Sequence, residues 1–250
     1  MENVKMEYFI DSQDELSKNT KKLLNSLCED NQNIKNLYKN ILNELEKDRY
    51  SIRESRRILK TLQYSLEIIK ENEQKNLNIR KDSFLHIENG ILLAEELIEG
   101  ILISAINEHE ENKLKYYGYL LGNILFKEDL DRDECNRLIK ISRKLSYCQI
   151  KLINLYVISQ TIQVPILKRE DYTKTGISNY KLLGILQDTL DMIQKSILNG
   201  SGKLVLDIVQ INPSKIKVQG IGSLLYNLMS LNKMPYDEME DLLDILSKKN

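Results

Sequence analysis

Apolar residues between positions 33 and 73 recur in steps of three, four or seven, the spacing of one face of an amphipathic helix. Asp48 and Ser55 interrupt this stripe. A turn at 48–51 accounts for both interruptions, and compact domains favour helices shorter than about 25 residues. We therefore predict a hairpin of two helices rather than one rod. The stripe comprises Ile34, Leu37, Ile41, Leu45, Ile52, Leu59, Leu62, Leu66 and Ile69.

A polar stretch at 71–82 is the next predicted connector. Residues 83–112 then carry apolar positions at helical spacing, and extra leucines and isoleucines widen the apolar face. Such a wide face is typical of a helix at the centre of a bundle. Glu95, Glu96 and Glu99 form a solvated edge on this helix.

Residues 115–126 are predicted to form another apolar helix. Gly118 and Gly122 lie one turn apart on it, so a neighbouring helix can approach closely there. Asp131 is a plausible N-cap for the helix that runs on to Leu145, because its side chain can accept from free backbone amides.

The second half of the chain begins with a predicted helix at 146–159 and a loop at 161–178. A further helix covers 179–198 and ends at Asn199-Gly200, a frequent stop signal for helices.

The hydrophobic period then changes. Branched residues at 204–209 and 216–218 flank the turn Asn212 to Lys215, and this pattern predicts a β-hairpin. A helix at 223–231 follows, and an acidic one opened by Pro235 runs to 247.

The order helix, loop, helix, β-hairpin, helix resembles the winged-helix family over residues 134–231. The residues that carry the resemblance are 145–150 at the start of the first helix, Leu182–Leu198 as the recognition helix, 204–218 as the wing and 220–225 as the return after the wing. The resemblance implies a helix presented to the major groove of DNA with the hairpin beside it.

The predicted fold is therefore mainly α. Residues 1–132 form an N-terminal helical bundle or long hairpin. Residues 133–250 form a winged-helix-like module with one β-hairpin, followed by an acidic C-terminal helix.

Composition supports a folded, largely helical protein. The chain of 250 residues is 42% hydrophobic and 29% charged, which is typical of neither a disordered acidic chain nor a membrane protein. Its 3 prolines and 10 glycines are sparse, and this favours helices over many short strands.

The chain is expected to be cytoplasmic. Residues 1–16 are acidic and lack the apolar run of a signal peptide. The most apolar stretch, 91–106, contains three glutamates that would be costly in a bilayer, so no membrane partner is expected. Cys28, Cys135 and Cys148 have unrelated spacings, which indicates reduced, structural thiols.

Charge is uneven along the chain. The formal net charge is −1, yet residues 146–234 hold 10 basic and 5 acidic side chains, a local excess of +5 (10 − 5). Against DNA binding, the predicted exposed face of the recognition helix carries Gln187, Asp188, Asp191 and Gln194, and the segment has a single arginine, Arg169. The lysines that would contact DNA phosphates are Lys181, Lys195, Lys203, Lys215 and Lys217.

No motif predicts catalysis, a cofactor or a metal site. His86 and His109 lack ligand partners at metal-binding spacing, and 108–111 is interpreted as a solvated helix end. Cys148 has no histidine near it in sequence to lower its pKa. Gly200 to Lys203 precedes a predicted strand, so it is interpreted as a turn rather than a phosphate-binding loop.

We therefore expect a non-enzymatic interaction or adaptor protein that binds a protein partner or self-associates through the Ile34–Ile69 helices, as a homo-oligomer. The alternative is a DNA-binding transcriptional regulator of the winged-helix type. The overall arrangement is similar to bacterial or phage-type helical proteins with a degenerate winged helix, a likeness that implies a role in phage defence or mobile elements. An enzyme of an unrecognised helical class has no sequence feature in its favour.

Overall fold

The computed structural model describes residues 2–28, 32–45, 50–82, 84, 87–88, 91–160, 177, 179–200 and 205–247. The protein is mainly helical and divides into two compact units, Met1–Arg143 and Lys144–Asn250. The sequence placed this division after residue 132. The helix that follows belongs instead to the first unit, because it packs against an earlier helix of that unit: Ile139 lies against Gly100.

Helices dominate the first unit. The elements are α1 (Glu2–Asn25), α2 (Gln32–Leu45), α3 (Ile52–Gln74), β1 (Ile87–Glu88), β2 (Ile91–Leu92), α4 (Leu93–Ile106), α5 (Lys113–Ile124) and α6 (Arg132–Lys144).

The predicted break in the apolar stripe is confirmed, since α2 ends at Leu45 and α3 begins at Ile52. Ser51 caps α3: its hydroxyl accepts from the amide of Glu54 at 3.3 Å, and its own amide donates to the Glu54 carboxylate at 2.8 Å. This reciprocal capping box satisfies free amides at the helix start and fixes where α3 begins.

A close helix–helix contact in the first unit lies between α3 and α5. A Cβ added at Gly118 would lie 2.5 Å from the carbonyl oxygen of Thr61, and one at Gly122 would lie 2.7 Å from that of Ser65. Only glycine leaves room for backbones this close. The predicted role of this glycine pair is confirmed.

The predicted helix over 83–112 is wrong at its start. Ile87–Glu88 pairs with Ile91–Leu92 in an antiparallel ladder, and the helix runs only from Leu93 to Ile106. The two residues between the strands in sequence are Asn89-Gly90, the dipeptide most typical of two-residue hairpin loops.

Side-chain caps position the starts of α6 and of the first helix of the second unit. The amide of Glu134 donates to Asp131 at 2.8 Å, which confirms Asp131 as the N-cap of α6. Ser146 accepts from the amide of Gln149 at 3.1 Å, and the Gln149 side chain accepts from the amide of Ser146 at 3.1 Å.

The described residues of the second unit form helices and a short antiparallel ladder. Its elements are α7 (Tyr147–Gln160), α8 (Tyr180–Gln194), β3 (Leu198–Asn199), β4 (Lys217–Val218), α9 (Ile221–Leu228) and α10 (Glu240–Leu246). Tyr156 of α7 is fully buried, and its hydroxyl lies 2.9 Å from the hydroxyl of Thr189 in α8.

The predicted wing is wrong in its first strand. Ile208–Gln210 and Pro213–Lys215 are single 3₁₀ turns, and Lys217–Val218 pairs with Leu198–Asn199 instead of with 204–209. The physical reason is local: Asp207 and Asn212 each accept a hydrogen bond from the amide two residues later, which stabilises a turn in competition with a strand.

The C-terminal end of α8 also differs from the prediction. The helix stops at Gln194 rather than at 198, and Ser196 takes a left-handed backbone with φ of 59°. The chain then enters β3 directly. Leu204 and most of the predicted loop at 161–178 lie outside the described residues.

Within the described residues, no helix combines the length and apolar character that crossing a bilayer requires.

Substituting Gly118 by alanine should destabilise the protein, because the new methyl group would overlap the α3 backbone. We expect a loss of about 2 kcal/mol in the free energy of unfolding, as for other overpacked cores. The measurement is urea denaturation followed by circular dichroism. Gly100→Ala in α4 is the matched control, since its Cβ would meet Ile139 only at 3.7 Å. Equal midpoints for the two variants would contradict the close-packing account.

Candidate functional site

An apolar groove of about 310 Å³ lies between α2 and α4 in the first unit. Ile58 of α3, buried at 1% exposure, contributes to its floor. The groove is open to solvent, because Tyr50 and Ile103 at its edges are 40% and 43% exposed. Its lining comprises Leu37, Asn40, Ile41, Glu44, Leu45, Tyr50, Ile58, Glu95, Ile98, Glu99, Leu102, Ile103 and Ile106.

The groove exists because α4 carries more apolar side chains than its packing covers. Ala94, Leu97, Ile98, Ile101 and Ala105 are buried inside the unit. Ile103 lies outside that buried face. The wide apolar face of α4 was visible in the sequence, and it is the signal from which an uncovered surface could have been inferred.

Most side chains of the apolar stripe of α2 and α3 are buried in the core of the first unit. Its residues Leu62, Leu66 and Ile69 have no exposed surface. At the end of α2, Ile41 and Leu45 stay half-buried, and both line the groove. Ile52 at the start of α3 is 38% exposed outside the groove, so Ile41, Leu45 and Ile52 are the stripe residues that keep surface open to a partner.

Carboxylates form the rim of the groove. Glu95 and Glu99 of α4 are exposed, and Glu44 of α2 is half-buried. The described lining residues include no lysine, arginine or histidine. The groove thus combines an apolar floor with a negative rim.

The third glutamate of this α4 segment behaves differently. Glu96 pairs with Arg132 of α6 at 2.5 Å and accepts from the Asn136 amide at 3.0 Å. The hydrogen bond from Arg132, supported by that from Asn136, holds the pKa of Glu96 below its usual range. Within the described part of the chain, Glu95 and Glu99 make no ion pair or side-chain hydrogen bond of this kind.

The described lysines of the predicted DNA contact lie on several elements of the second unit. Lys181 lies in the first turn of α8 and Lys195 follows its last turn, about 20 Å away at the rise of an α-helix. Lys195 is also paired with Asp191 at 2.5 Å. Lys215 and Lys217 are exposed, in a 3₁₀ turn and in β4. Lys203 lies outside the described residues.

The expected exposed face of α8 needs correction. Asp188 and Asp191 are half-buried and accept hydrogen bonds from the side-chain amide of Gln149 in α7, at 3.1 and 2.9 Å. Gln149 is only 5% exposed, so the two carboxylates belong to the contact between α7 and α8. The open side of the helix carries Gln187 and Gln194, as predicted.

The thiols in α6 and α7 are poor nucleophiles. Burial, together with the nearby Asp188 carboxylate, raises the pKa of Cys148 to about 12. Burial raises the pKa of Cys135 to about 11, although Arg80 beside it acts in the opposite direction. Both thiols therefore stay protonated at neutral pH, which disfavours attack by a thiolate.

The acidic segment after α4, residues 108–111, was predicted to be a solvated helix end. The structure corrects this for Glu108. Glu108 is 6% exposed and pairs with the ammonium of Lys113, itself 3% exposed, at 2.5 Å. The hydroxyl of Tyr117 donates to the same carboxylate at 2.7 Å. Burial alone would raise the pKa of Glu108, but these hydrogen bonds and one from the Glu110 amide outweigh it and hold the pKa below its usual range.

Glu108, His109 and Glu110 bring three potential metal-ligand atoms within 4.8 Å of one another. Lys113 already neutralises the buried carboxylate, and the His109 side chain is 89% exposed. The arrangement is explained by a structural ion pair that closes the connection between α4 and α5. His86 lies outside the described residues.

No protein-family model, no curated protein and no solved structure matches this chain. A function for the chain accordingly has to follow from its own residues.

Glu108→Gln should be strongly destabilising, because it leaves the buried Lys113 ammonium with only the more distant Glu110 carboxylate, 4.0 Å away. Removing one partner of a buried pair costs about 3 kcal/mol or more. We expect this loss at pH 7 in chemical denaturation. Glu95→Gln is the control, since that exposed carboxylate has no described partner, and a change of about 0.5 kcal/mol or less is expected.

The same pair predicts a pH dependence. The folded-state pKa of Glu108 lies below the ordinary value of 4.5, so its stabilisation is complete above that pH and is lost as pH falls below it. The wild type should therefore lose more stability between pH 5 and pH 3 than Glu108→Gln does. Parallel acid unfolding curves would contradict this assignment.

Proposed function

We propose that the protein is a non-enzymatic interaction protein whose N-terminal unit holds a helical segment of a partner protein in the groove between α2 and α4. The observation that carries this proposal is the solvent-open apolar groove itself. Two helices with apolar residues on facing sides offer a third helix a place to bury its own apolar face.

The distribution of polar groups favours a helix over a small molecule. Small-molecule sites place a few polar groups inside the pocket, where they orient the ligand. Here the floor is made by Leu37, Ile58 and Ile98, and the charged groups lie at the rim. A helix satisfies its own backbone hydrogen bonds, so it can rest on such a floor without leaving polar groups unpaired.

Ile103 is the natural anchor point on α4. It is 43% exposed in the free protein, and its neighbours Leu102 and Ile106 also line the groove. Fully burying an isoleucine side chain contributes about 1.5–3 kcal/mol, so covering the remaining surface of Ile103 contributes favourably to binding.

The first test uses a model peptide: a 16-residue amphipathic helix with a leucine face and glutamine elsewhere, labelled for fluorescence anisotropy. We expect it to bind the wild type and to lose most of its affinity for Ile103→Asp, because the new carboxylate would be desolvated under the peptide.

Leu77→Asp is the matched control, since Leu77 is 50% exposed in the same unit but does not line the groove. Circular dichroism verifies that both variants are folded. If the peptide fails to bind the wild type, or if both variants weaken binding equally, the groove does not have the proposed role.

A second candidate function, DNA binding by the second unit, is favoured by one observation. The two aspartates that should repel phosphates from α8 are turned toward Gln149 of α7. The open side of α8 and the exposed Lys215 and Lys217 then remain for a nucleic-acid contact.

DNA binding is tested by anisotropy with mixed genomic fragments at two salt concentrations. If this unit binds DNA, Lys215→Glu with Lys217→Glu should weaken binding and lower the salt slope by about 2, roughly one per lost phosphate contact. Lys18→Glu with Lys21→Glu on α1 is a charge-matched control. An unchanged salt slope would show that Lys215 and Lys217 do not contact DNA.

A further inference from the structure

Two of the three glutamates near the start of α4 are turned toward the groove. Glu96 is neutralised by Arg132 and Asn136 of α6. Glu95 and Glu99 are exposed on the groove side, one helical turn apart, and neither has a described ion-pair partner. Like charges at this spacing repel each other and destabilise a helix slightly. A cation bound beside these two carboxylates would relieve this small repulsion.

The opposite edge of the groove also carries a carboxylate. Glu44 of α2 lines the groove across from α4, and the described lining residues include no cationic side chain. A groove with carboxylates on both edges and an apolar floor disfavours phosphate-bearing ligands, and it complements a ligand that is apolar on one face and cationic beside that face.

We infer that the segment bound in the groove is a basic amphipathic helix, with leucine-like anchors on one face and lysine or arginine at the positions beside it. This inference rests on the proposed function of the groove. The anchors cover Ile41, Ile103 and Ile106, which line the groove and keep exposed surface. Lysine and arginine stems can lie along the apolar edge while their charged ends reach Glu95 and Glu99.

The same charges disfavour a second copy of this chain as the occupant. Two copies that meet groove to groove would bring identical acidic rims together, because a two-fold interface places the same surface on both sides. Like charges across an interface oppose association. The partner is therefore a different, basic protein segment.

The test compares three 16-residue peptides that share the leucine face and carry lysine, glutamine or glutamate at the flanking positions. We expect the lysine peptide to bind tightest, to weaken as salt increases and to be followed by the glutamine and then the glutamate peptide. Glu95→Gln with Glu99→Gln should reduce the affinity for the lysine peptide roughly fivefold, as expected for two exposed charge pairs, and leave that for the glutamine peptide unchanged.

Asp14→Asn with Glu15→Gln is the matched control, because these exposed carboxylates of α1 remove the same charge without lining the groove. If all three peptides bind equally and Ile103→Asp still abolishes binding, the basic partner is ruled out while the groove keeps its proposed function. If none binds, both proposals fail. A concentration-dependent dimer in sedimentation that Ile103→Asp abolishes would overturn the inference in favour of a second copy.

Discussion

The close contact between α3 and α5 is the constraint on which the first unit depends. At Gly118 and Gly122 the α5 backbone lies so close to the carbonyl oxygens of Thr61 and Ser65 that an added methyl group would overlap them. This contact fixes α3, and α3 supplies Ile58 to the floor of the groove. The hydroxyls of Tyr38 and Ser65, 2.6 Å apart, also connect α2 to the same part of α3. The shape of the groove thus depends on a backbone contact that begins about one turn further along the same face of α3.

Charge in this unit falls into two groups with different consequences. Buried or half-buried carboxylates are paired: Glu108 with Lys113, and Glu111 with Arg57 at 3.0 Å. Both partners of such a pair are needed, because a single unpaired charge in the interior lowers the stability of the protein. Glu95 and Glu99 at the groove rim remain in water and cost little in the free protein. They are therefore available to select a partner. Exposed charges contribute more to the specificity of binding than to the stability of the fold.

Sequence reasoning located features with a local cause. The α2–α3 break, the Asp131 cap and the glycine pair on α5 each depend on a few neighbouring residues, and all three are confirmed. The elements that were predicted wrongly are those in which a turn and a strand compete for the same residues. Asp207 and Asn212 stabilise turns where branched residues suggested a strand, and β4 pairs with residues almost 20 positions earlier in the chain.

The groove and the orientation of α8 could not be derived from spacing alone. Whether Asp188 faces solvent or Gln149 depends on how α7 packs against α8, which helical periodicity in one segment does not specify. In the same way, the apolar positions of α4 predicted a central helix but not which of its residues would stay uncovered. Ile103 shows the difference, since it has the same character as its buried neighbours and is 43% exposed.

The most direct measurement of the central claim is amide hydrogen exchange of the full chain with and without the lysine-flanked helical peptide. A helix bound in the groove should slow exchange in α2 and α4, with the largest effect around Leu45 and Ile103, and leave α7 to α10 unchanged. Slowed exchange confined to the second unit, or no change in α2 and α4 at saturating peptide, would contradict the account.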